Sequence, residues 1–362
     1  MTKHVFYEKI HLYAFNGNMW QGRYLNMKAI FLANRAQTVD YVYSQEAKER
    51  LKSLVDIDTE KVYSQEDLEA NPDGFKDVEY IFSTWSMPGG TEDKDDFSRF
   101  FPSLKALFYA AGSVKYFGQH YLDKGIRLFS AFAANAIPVA EFTMAQILLA
   151  NKGYFQSMRM VRRGHYDRAV EYSKSHTGNY GSKIGIIGAG MIGRKVIQLL
   201  RKFRLDFYVY DEFLPKSAIK ALGAKKATLE EIFSECDVVS NHLANVPATV
   251  GIFKEEHFRL MKPNTVFINT GRGAQVNEPD MLKVLRERRD ICALLDVTIE
   301  EPPQEGSDFY KLDNIFLTPH IAGSQANEVE RMAEYMIDEF EKVLADKPTQ
   351  YEITQERFEK MA

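Results

Sequence analysis

The chain has 362 residues, of which 45% are hydrophobic and 27% charged, and its formal net charge is −4. The length predicts about two domains, and the composition excludes a disordered, collagen-like or low-complexity chain. The near balance of charge gives no electrostatic reason to expect nucleic acid or an anionic membrane as a partner. Cys236 and Cys292 are far apart and form no metal-type pair, so we expect two buried thiols and no metal site.

The first half of the chain alternates short apolar runs with helix-forming stretches. Residues 1–26 are rich in aromatic residues but lack a clear period or an apolar targeting segment, so we predict an extension outside the main fold of a cytoplasmic protein. Strands are predicted at 29–32, 78–83, 104–109 and 127–129, and helices at 44–54, 95–101 and 139–150. The apolar stretch 137–150 is too short to span a bilayer, and it contains Glu141 and Gln146. No membrane partner is therefore expected.

The second half repeats this rhythm with clearer boundaries. Strands are predicted at 183–187, 206–210, 238–239, 266–269, 293–297 and 315–318, and helices at 191–203, 229–234 and 278–288. In the stretch 327–346, Met332, Met336, Phe340 and Val343 recur at helical intervals, which predicts a helix with one core-facing side. Strands that alternate with helices indicate parallel sheets with crossover helices. The predicted fold is α/β, with two doubly wound Rossmann-like domains.

A glycine motif stands between the strand predicted at 183–187 and the helix that follows it. Its three glycines have the spacing G-x-G-x-x-G, which allows a tight turn, a close approach of the backbone to a pyrophosphate, and close packing of helix on strand. The helix start adds free N–H groups and a positive dipole end. The residues expected to contact the cofactor here are Gly188, Gly190, Met191, Ile192 and Gly193.

Asp211 closes the next predicted strand, 18 residues after Gly193. A carboxylate in this position accepts hydrogen bonds from the adenosine ribose hydroxyls and repels a 2′-phosphate, which predicts NAD rather than NADP. The alternative is that Asp211 serves only as a turn residue at the end of the strand.

Three further motifs follow in order along the chain. They are INTGRG at 268–273, DVTIEEP at 296–302 and LTPHIAG at 317–323. Together with the glycine motif they resemble the D-isomer-specific 2-hydroxyacid dehydrogenases, a family that includes phosphoglycerate, D-lactate, glyoxylate/hydroxypyruvate and formate dehydrogenases. The resemblance is nearly without gaps from about residue 136 onward and looser over 27–135.

The resemblance implies a domain arrangement and an activity. A substrate domain formed by 27–134 and a returning C-terminal segment, 324–362, would hold an inserted NAD-binding Rossmann domain at 135–323. The implied activity is the NAD-dependent interconversion of a small (D)-2-hydroxy acid and its 2-oxo acid. The implied assembly is a homodimer that forms through the cofactor domain.

The resemblance also implies three catalytic residues. Arg272 matches the arginine that holds the substrate carboxylate and keto oxygen, and His320 matches the acid/base that exchanges a proton with the C2 oxygen. Glu301 matches the carboxylate that pairs with this histidine and favours its protonated form. Taken alone, Arg272 could be a surface arginine in a turn, His320 a satisfied histidine near a strand end, and Glu301 part of a solvated acidic pair with Glu300. Their order behind a glycine motif favours the catalytic interpretation.

Further cofactor contacts are carried over in the same way. Asp296 matches the residue that orients the nicotinamide carboxamide, Thr270 and Gly271 match residues that line the same ring, and Gly323 belongs to the same set. His242 matches a histidine of the family's H-x-P segment beside the cofactor, although Ala244 replaces the proline. We interpret His242 as structural or cofactor-adjacent and not as catalytic.

The chain departs from the family pattern on the substrate side. Where many members have a glycine- and aspartate-containing loop, this chain reads AGSVKYF at 111–117. Gly112, Ser113 and Val114 still offer backbone N–H groups to a substrate carboxylate, but the aspartates are missing. Trp85, at the end of another predicted strand, is either a pocket wall or a core residue. The 2-oxo acid therefore need not be that of a well-known member.

Two other functions stay open on the same fold. One is a non-catalytic, NAD-responsive binding protein similar to the family's transcriptional corepressors. The other is a dehydrogenase for another small anion, such as formate or phosphite.

Overall fold

The computed structural model describes residues 27–361, so the extension predicted at 1–26 lies outside the described residues. In the described part, the strands form a five-stranded sheet in the order β2-β1-β3-β4-β5 and a seven-stranded sheet in the order β12-β11-β10-β9-β6-β7-β8. All neighbouring strands are parallel. The strands are β1 (Lys28–Leu32), β2 (Val62–Tyr63), β3 (Val78–Ser83), β4 (Ala106–Tyr109), β5 (Arg127–Ser130), β6 (Tyr180–Ile187), β7 (Arg204–Tyr210), β8 (Ala224–Lys226), β9 (Val238–Asn241), β10 (Val266–Asn269), β11 (Cys292–Leu295) and β12 (Ile315–Leu317).

Helices connect these strands as crossover elements. They are α1 (Ala36–Val42), α2 (Gln45–Lys52), α3 (Gln65–Ala70), α4 (Gly118–Asp123), α5 (Phe132–Ala150), α6 (Tyr154–Arg162), α7 (Tyr166–Lys174), α8 (Met191–Leu200), α9 (Lys216–Ala221), α10 (Leu229–Glu235), α11 (Glu255–Leu260), α12 (Glu278–Glu287), α13 (Asp308–Lys311), α14 (Glu330–Leu344) and α15 (Gln355–Lys360). Several begin at a side-chain cap: Ser44 accepts from the N–H of Ala47, and Thr228 forms a capping box with Glu231. The predicted two-sheet α/β fold is confirmed.

Three predicted elements need correction. The helix predicted at 95–101 consists of two 3₁₀ turns, Asp93–Asp95 and Phe97–Phe100, and Asp96 caps the second. The strand predicted at 104–109 begins only at Ala106. The helix predicted from 139 begins earlier, at Phe132. Pro138 therefore lies inside the helix and does not mark its first turn.

The first sheet is covered partly by the C-terminal residues of the chain. Met332, Met336 and Phe340 of α14 are fully buried with Phe82 and Phe108 of β3 and β4, which confirms the predicted core face of this helix. Contact with the other face of the sheet comes from α15 through Phe358. The predicted domain division stays a prediction, and its boundary between 134 and 135 falls within α5.

The second sheet is packed between helices on both faces. On one side, α5 and α8 bury Ile147, Val196 and Ile197 against it; on the other, α10 and α12 bury Phe233 and Val284. Among the described helices, only α5 is long and apolar enough to pass a length-and-composition test for a membrane span, but half of that stretch is buried in the protein. We therefore regard α5 as a core helix.

The strand order determines where a ligand can bind. Strand β6 lies between β9 and β7, so the crossovers run in opposite directions on its two sides. In open α/β sheets, ligands bind in the crevice that such a switch point creates at the carboxyl ends of the strands. The loops after β6, β9, β10, β11 and β12 open on this edge, and they carry the motifs found in the sequence.

Candidate active site

The glycine motif forms the turn between β6 and α8. Gly188 has φ +88°, and a Cβ there would lie 2.7 Å from the backbone oxygen of His242. A Cβ on Gly193 would collide with the backbone oxygen of Gly188, so helix and strand pack in contact. Above Gly190, in contrast, a Cβ would meet nothing within 4 Å. The two outer glycines are required by packing, and the middle one leaves the open space that a pyrophosphate needs.

A cleft of about 560 Å³ adjoins this turn. Gly190, Met191 and the cations Arg194 and Lys195 line one side, at the start of α8. The free N–H groups and positive end of the helix, together with these cations, suit the phosphates of a dinucleotide. The opposite side of the cleft is lined by Ala133, Tyr335, Gln350 and Tyr351.

Asp211 follows β7 and holds the neighbouring loops with its carboxylate. Oδ2 accepts from the N–H of Ala189 at 2.9 Å, and Oδ1 accepts from the N–H groups of Phe213 and Leu214 at 3.0 Å each. The turn role that the sequence left as an alternative is thus real. A carboxylate has about four lone-pair sites, so these three bonds leave acceptor capacity for a ribose hydroxyl.

His320 and Glu301 are hydrogen-bonded to each other. Nδ1 of His320 lies 2.8 Å from Oε2 of Glu301, whose Oε1 accepts from the N–H of Thr298 at 3.3 Å. Both oxygens of Glu301 are thereby oriented. Nε2 of His320 has no hydrogen-bond partner among residues 27–361, and the side chain is 49% exposed. The pair therefore leaves the second imidazole nitrogen without a hydrogen-bond partner in the described part of the chain.

Asp296 organises the loop that carries His320. It is 2% exposed, Oδ1 accepts from the Thr318 hydroxyl at 2.6 Å and the Ile321 N–H at 2.9 Å, and Oδ2 accepts from the Ala322 N–H at 2.8 Å. His320 itself has φ +54°, an uncommon conformation for a residue with a Cβ. This buried carboxylate holds the strained turn in place. The sequence predicted only a cofactor contact for Asp296.

Arg272 follows β10 with most of its guanidinium left without a protein partner. Its one side-chain hydrogen bond to a described residue runs from Nη1 to the oxygen of Gly271 at 2.8 Å. Burial lowers the pKa of Arg272, and the nearby Glu301 carboxylate opposes that effect. A guanidinium has five N–H donors and stays charged in proteins, so this partly desolvated fork suits a carboxylate ligand.

Two residues that the sequence analysis missed fix Arg272. A Cβ on Gly273 would collide with the backbone of Thr298 and Ile299, so the Arg272 turn lies in contact with the Glu301 loop. Oε1 of the fully buried Gln275 accepts from the Arg272 N–H at 3.3 Å. The glycine of the INTGRG motif was a detectable signal, whereas nothing local marks Gln275.

The remaining predicted cofactor contacts lie along the same edge. Thr270 is buried, and its hydroxyl lies 3.1 Å from that of Thr143 on α5. Asn135, which the sequence analysis did not single out, accepts from the N–H of Ser324 at 2.8 Å. Its side-chain amide lies close to both Gly323 and Gly112, at the junction between the loops of the two sheets. Gly271 lies beside Gln275.

The predicted substrate loop follows β4. Among the hydrogen bonds between residues 27 and 361, none uses the backbone N–H of Gly112, Ser113 or Val114. A pocket of about 380 Å³ includes Ser113 and Arg272 in its lining, which joins the two groups expected to hold a carboxylate. Val114 is fully buried, backbone and side chain alike, so the predicted contact of its N–H with a substrate carboxylate needs correction: only Gly112 and Ser113 are accessible. Trp85 packs against the cores on both faces of the first sheet and stacks on Tyr41, as the core interpretation predicts.

His242 lies next to the glycine turn and is hydrogen-bonded within the protein. Its Nε2 lies 2.9 Å from the Ser240 hydroxyl, and its backbone oxygen contacts Gly188. Burial lowers the pKa of His242 to about 3, so the imidazole is neutral near pH 7.

Comparison with known proteins agrees with this geometry. Residues 144–322 match the NAD-binding domain model of the D-isomer specific 2-hydroxyacid dehydrogenases. The chain is 32% identical over 228 residues to D-3-phosphoglycerate dehydrogenase of Methanocaldococcus jannaschii, covering 61% of this chain and 42% of the relative. It is 32% identical over 204 residues to glyoxylate reductase of Aeropyrum pernix, covering 54% and 59%. The matched regions thus span about half the length of these relatives.

Solved structures extend the similarity of fold to nearly the whole chain. The holo form of D-mandelate dehydrogenase from Rhodotorula graminis has a TM-score of 0.76 at 18% identity and covers 91% of this chain and 98% of its own. D-2-hydroxyisocaproate dehydrogenase has a TM-score of 0.70 at 22% identity and covers 91% and 100%. The matched domain and the glycine turn identify the cofactor as NAD(H). Residues 144–322 therefore belong to the NAD-binding domain of the D-isomer specific 2-hydroxyacid dehydrogenase family.

Proposed function

We propose that the chain is an NAD-dependent oxidoreductase that interconverts a small D-2-hydroxy acid and its 2-oxo acid. The observation that carries this proposal is the hydrogen bond between His320 and Glu301 at the same sheet edge as the open guanidinium of Arg272. A proton donor and an anion seat on neighbouring strand ends are what the reduction of a 2-oxo acid requires.

Each residue then has a defined task. The Arg272 fork and the free N–H groups of residues 112 and 113 hold the substrate carboxylate. Nε2 of His320 donates a proton to the C2 oxygen in reduction and accepts it in oxidation, while Glu301 orients the ring through Nδ1. NADH supplies the hydride when bound. Gly190, Met191, Ile192 and Asp211 hold its pyrophosphate and ribose.

Two features favour this function over the alternatives. A pocket of about 380 Å³ is much larger than formate or phosphite needs and accommodates an acid with several carbon atoms. The Arg272, Glu301 and His320 set is complete, and a protein that only binds NAD has no use for an oriented proton donor.

A turnover assay tests the proposal. NADH is incubated with a panel of 2-oxo acids, and its absorbance is followed. We expect NADH consumption with at least one member of the panel. NADH binding without turnover of any 2-oxo acid would contradict the proposal and favour a corepressor-like protein, and NAD reduction by formate or phosphite would favour the other alternative.

We also propose the division into a substrate domain, 27–134 with 324–362, and an inserted cofactor domain, 135–323. The packing of α14 and α15 on the first sheet supports this division. The homodimer and the cytoplasmic location expected from the sequence stay predictions.

A further inference from the structure

The loop after β4 departs from the family pattern at residues 115–117, which read Lys-Tyr-Phe where the aspartates are missing. The same loop carries the N–H groups of Gly112 and Ser113, which are accessible and have no hydrogen-bond partner between residues 27 and 361. The position of these two N–H groups therefore depends on how the three following residues are anchored.

Tyr116 and Phe117 anchor the loop to the end of the first sheet. The Tyr116 hydroxyl donates to the oxygen of Met87 at 3.1 Å. Phe117 is 1% exposed, and its ring makes an edge contact with that of Tyr109 on β4. A Cβ on Gly89 would lie 2.6 Å from the Cβ of Phe117, so the loop after β3 packs directly against this residue. Both side chains thus join the loop to neighbouring parts of the same sheet.

Lys115 joins the loop to a different element, the helix α15. Its Nζ donates to the backbone oxygen of Glu359 at 3.3 Å and lies 4.7 Å from the centroid of the Phe358 ring. Glu359 belongs to the last turn of α15, where carbonyl groups lack a partner within the helix and form the negative end of its dipole. The ammonium group is therefore attracted both by the helix end and by the aromatic ring.

Phe358 contacts the loop at a second point. It is 7% exposed and packs in the core on one face of the first sheet. A Cβ on Gly118, where α4 begins, would lie 3.0 Å from the Phe358 ring and 3.2 Å from the side chain of Val114. One ring of α15 therefore lies against both the charged side chain of the loop and the start of the helix that follows the loop.

The loop is too tightly bonded for Lys115 to move alone. The Lys115 N–H donates to the Ser113 hydroxyl at 3.4 Å, and Val114 between them is fully buried. The N–H groups of Phe117 and Gly118 both donate to the oxygen of Val114, at 3.2 and 2.8 Å, which closes a turn. A displacement of Lys115 would therefore displace the N–H groups before it. Backbone donors have no side-chain freedom with which to compensate, so such a displacement weakens ligand binding.

We propose that Lys115 is a positioning residue that, through its contact with Phe358 and Glu359, makes α15 hold the loop that binds the substrate carboxylate. The inference rests on the proposed function and gives α15 a part in binding the acid. Ser113, Lys115 and Arg272 line the same pocket of about 380 Å³, so a direct contact of Lys115 with the acid is the competing explanation. The experiment has to separate the two.

Oxamate is a suitable probe because it has the carboxylate and adjacent carbonyl group of a 2-oxo acid but no carbon side chain. Lys115→Met keeps an unbranched side chain but removes the charge. Its inhibition constant for oxamate and its KM for the 2-oxo acid should rise roughly fivefold, with kcat and the dissociation constant for NADH little changed. Lys115→Arg keeps a cation for Phe358 and Glu359 and should remain close to wild type. Lys360→Met, which breaks only the exposed pair with Glu356 on the same helix, is the control.

Two further measurements separate positioning from direct contact. Phe358→Leu keeps an apolar core residue but removes the ring, so it should raise the same two constants. The double variant with Lys115→Met should bind oxamate no more weakly than the weaker single variant, because both changes remove one contact. Hydrogen exchange without any ligand should be faster for the Phe117 and Gly118 N–H groups in Lys115→Met than in wild type, and unchanged in Lys360→Met.

The outcomes also separate this proposal from the one on which it rests. Unchanged constants in Lys115→Met, unchanged exchange in its loop, effects confined to Lys115→Met, or effects that multiply in the double variant overturn the positioning role. The dehydrogenase function then stands, because turnover persists. If Phe358→Leu does not fold, the exchange measurement with Lys115→Met decides. A wild-type chain that reduces no 2-oxo acid overturns the proposed function and the substrate role of Lys115 with it.

Discussion

The loops after β11 and β12 differ from the loops after β4 and β10 in how many of their polar groups form hydrogen bonds within the protein. Around His320, the Asp296 carboxylate accepts three hydrogen bonds and both oxygens of Glu301 are engaged. Around Arg272, most guanidinium donors and the N–H groups of residues 112–114 have no partner in residues 27–361. The proposed proton donor is therefore preorganised by the protein, whereas the proposed anion site is left for a ligand to complete.

Removing the proton donor should have the largest effect. In His320→Ala, kcat for 2-oxo acid reduction should fall by roughly 10²–10⁴-fold, because no other side chain in the preorganised loops takes over the proton transfer. The dissociation constant for NADH, measured by fluorescence titration, should change little. Near-normal turnover would show that His320 is not the proton donor.

Replacing the guanidinium of Arg272 should have a smaller effect. Arg272→Lys keeps the charge but loses the planar fork, so KM for the acid should rise roughly tenfold and kcat should fall as well. Steady-state kinetics at saturating NADH measures both constants. An unchanged KM would mean that the acid binds elsewhere, and Arg168→Lys, at an exposed position of helix α7, serves as the control.

The stability of an Asp296 variant tests whether this carboxylate holds the loop that carries His320. Asp296→Asn replaces one acceptor oxygen with an NH₂ group that faces a backbone N–H, so the free energy of unfolding should fall by about 2–3 kcal/mol. Urea titration measures the change. The exposed Asp346→Asn exchange should leave stability nearly unchanged, and an equal loss in both variants would contradict the role given to Asp296.

His242 gives a pH-dependent prediction. Its pKa is about 3 in the folded chain against an ordinary value of 6.5, so as pH falls below 6.5 the unfolded chain binds a proton that the folded chain does not. This contribution lowers stability by up to about 2 kcal/mol between pH 7 and pH 5. His242→Gln should lose less stability over that interval, as measured by urea titration at both pH values. Parallel losses in the two proteins would contradict the burial of this imidazole.

The smallest expected effect concerns Asp211, which is both a turn residue and a proposed ribose contact. Wild-type protein should use NAD at least about tenfold more efficiently than NADP, a difference of about 1.4 kcal/mol. Asp211→Asn removes the charge that repels a 2′-phosphate and should narrow the ratio. An unchanged ratio of the efficiencies with NAD and NADP would mean that Asp211 acts only as a turn residue.

The sequence predicted most of the fold and the motif residues of the site. Apolar runs marked β3 and β10 at their observed bounds, and the glycine spacing marked the turn before α8. These features are local, so periodicity and composition reveal them.

The sequence did not reveal contacts between residues distant along the chain. Asp296 reaches residues 318–322, and Gln275 reaches residues 243–244, because the sheet brings separate loops to one edge. Helices α6 and α7 also went unpredicted, as their mixed polar and apolar sequences lack strong local signals.

The central claim is that the His320–Glu301 pair and Arg272 carry out a D-specific reduction, and transfer of a label tests it most directly. NADH with deuterium at the transferable position of the nicotinamide ring is incubated with each member of the 2-oxo acid panel, and the products are examined by NMR and chiral chromatography. The account predicts deuterium at C2 of a D-configured 2-hydroxy acid with wild-type protein and almost none with His320→Ala. Bound NADH without transfer to any acid of the panel, or an L-configured product, would contradict it.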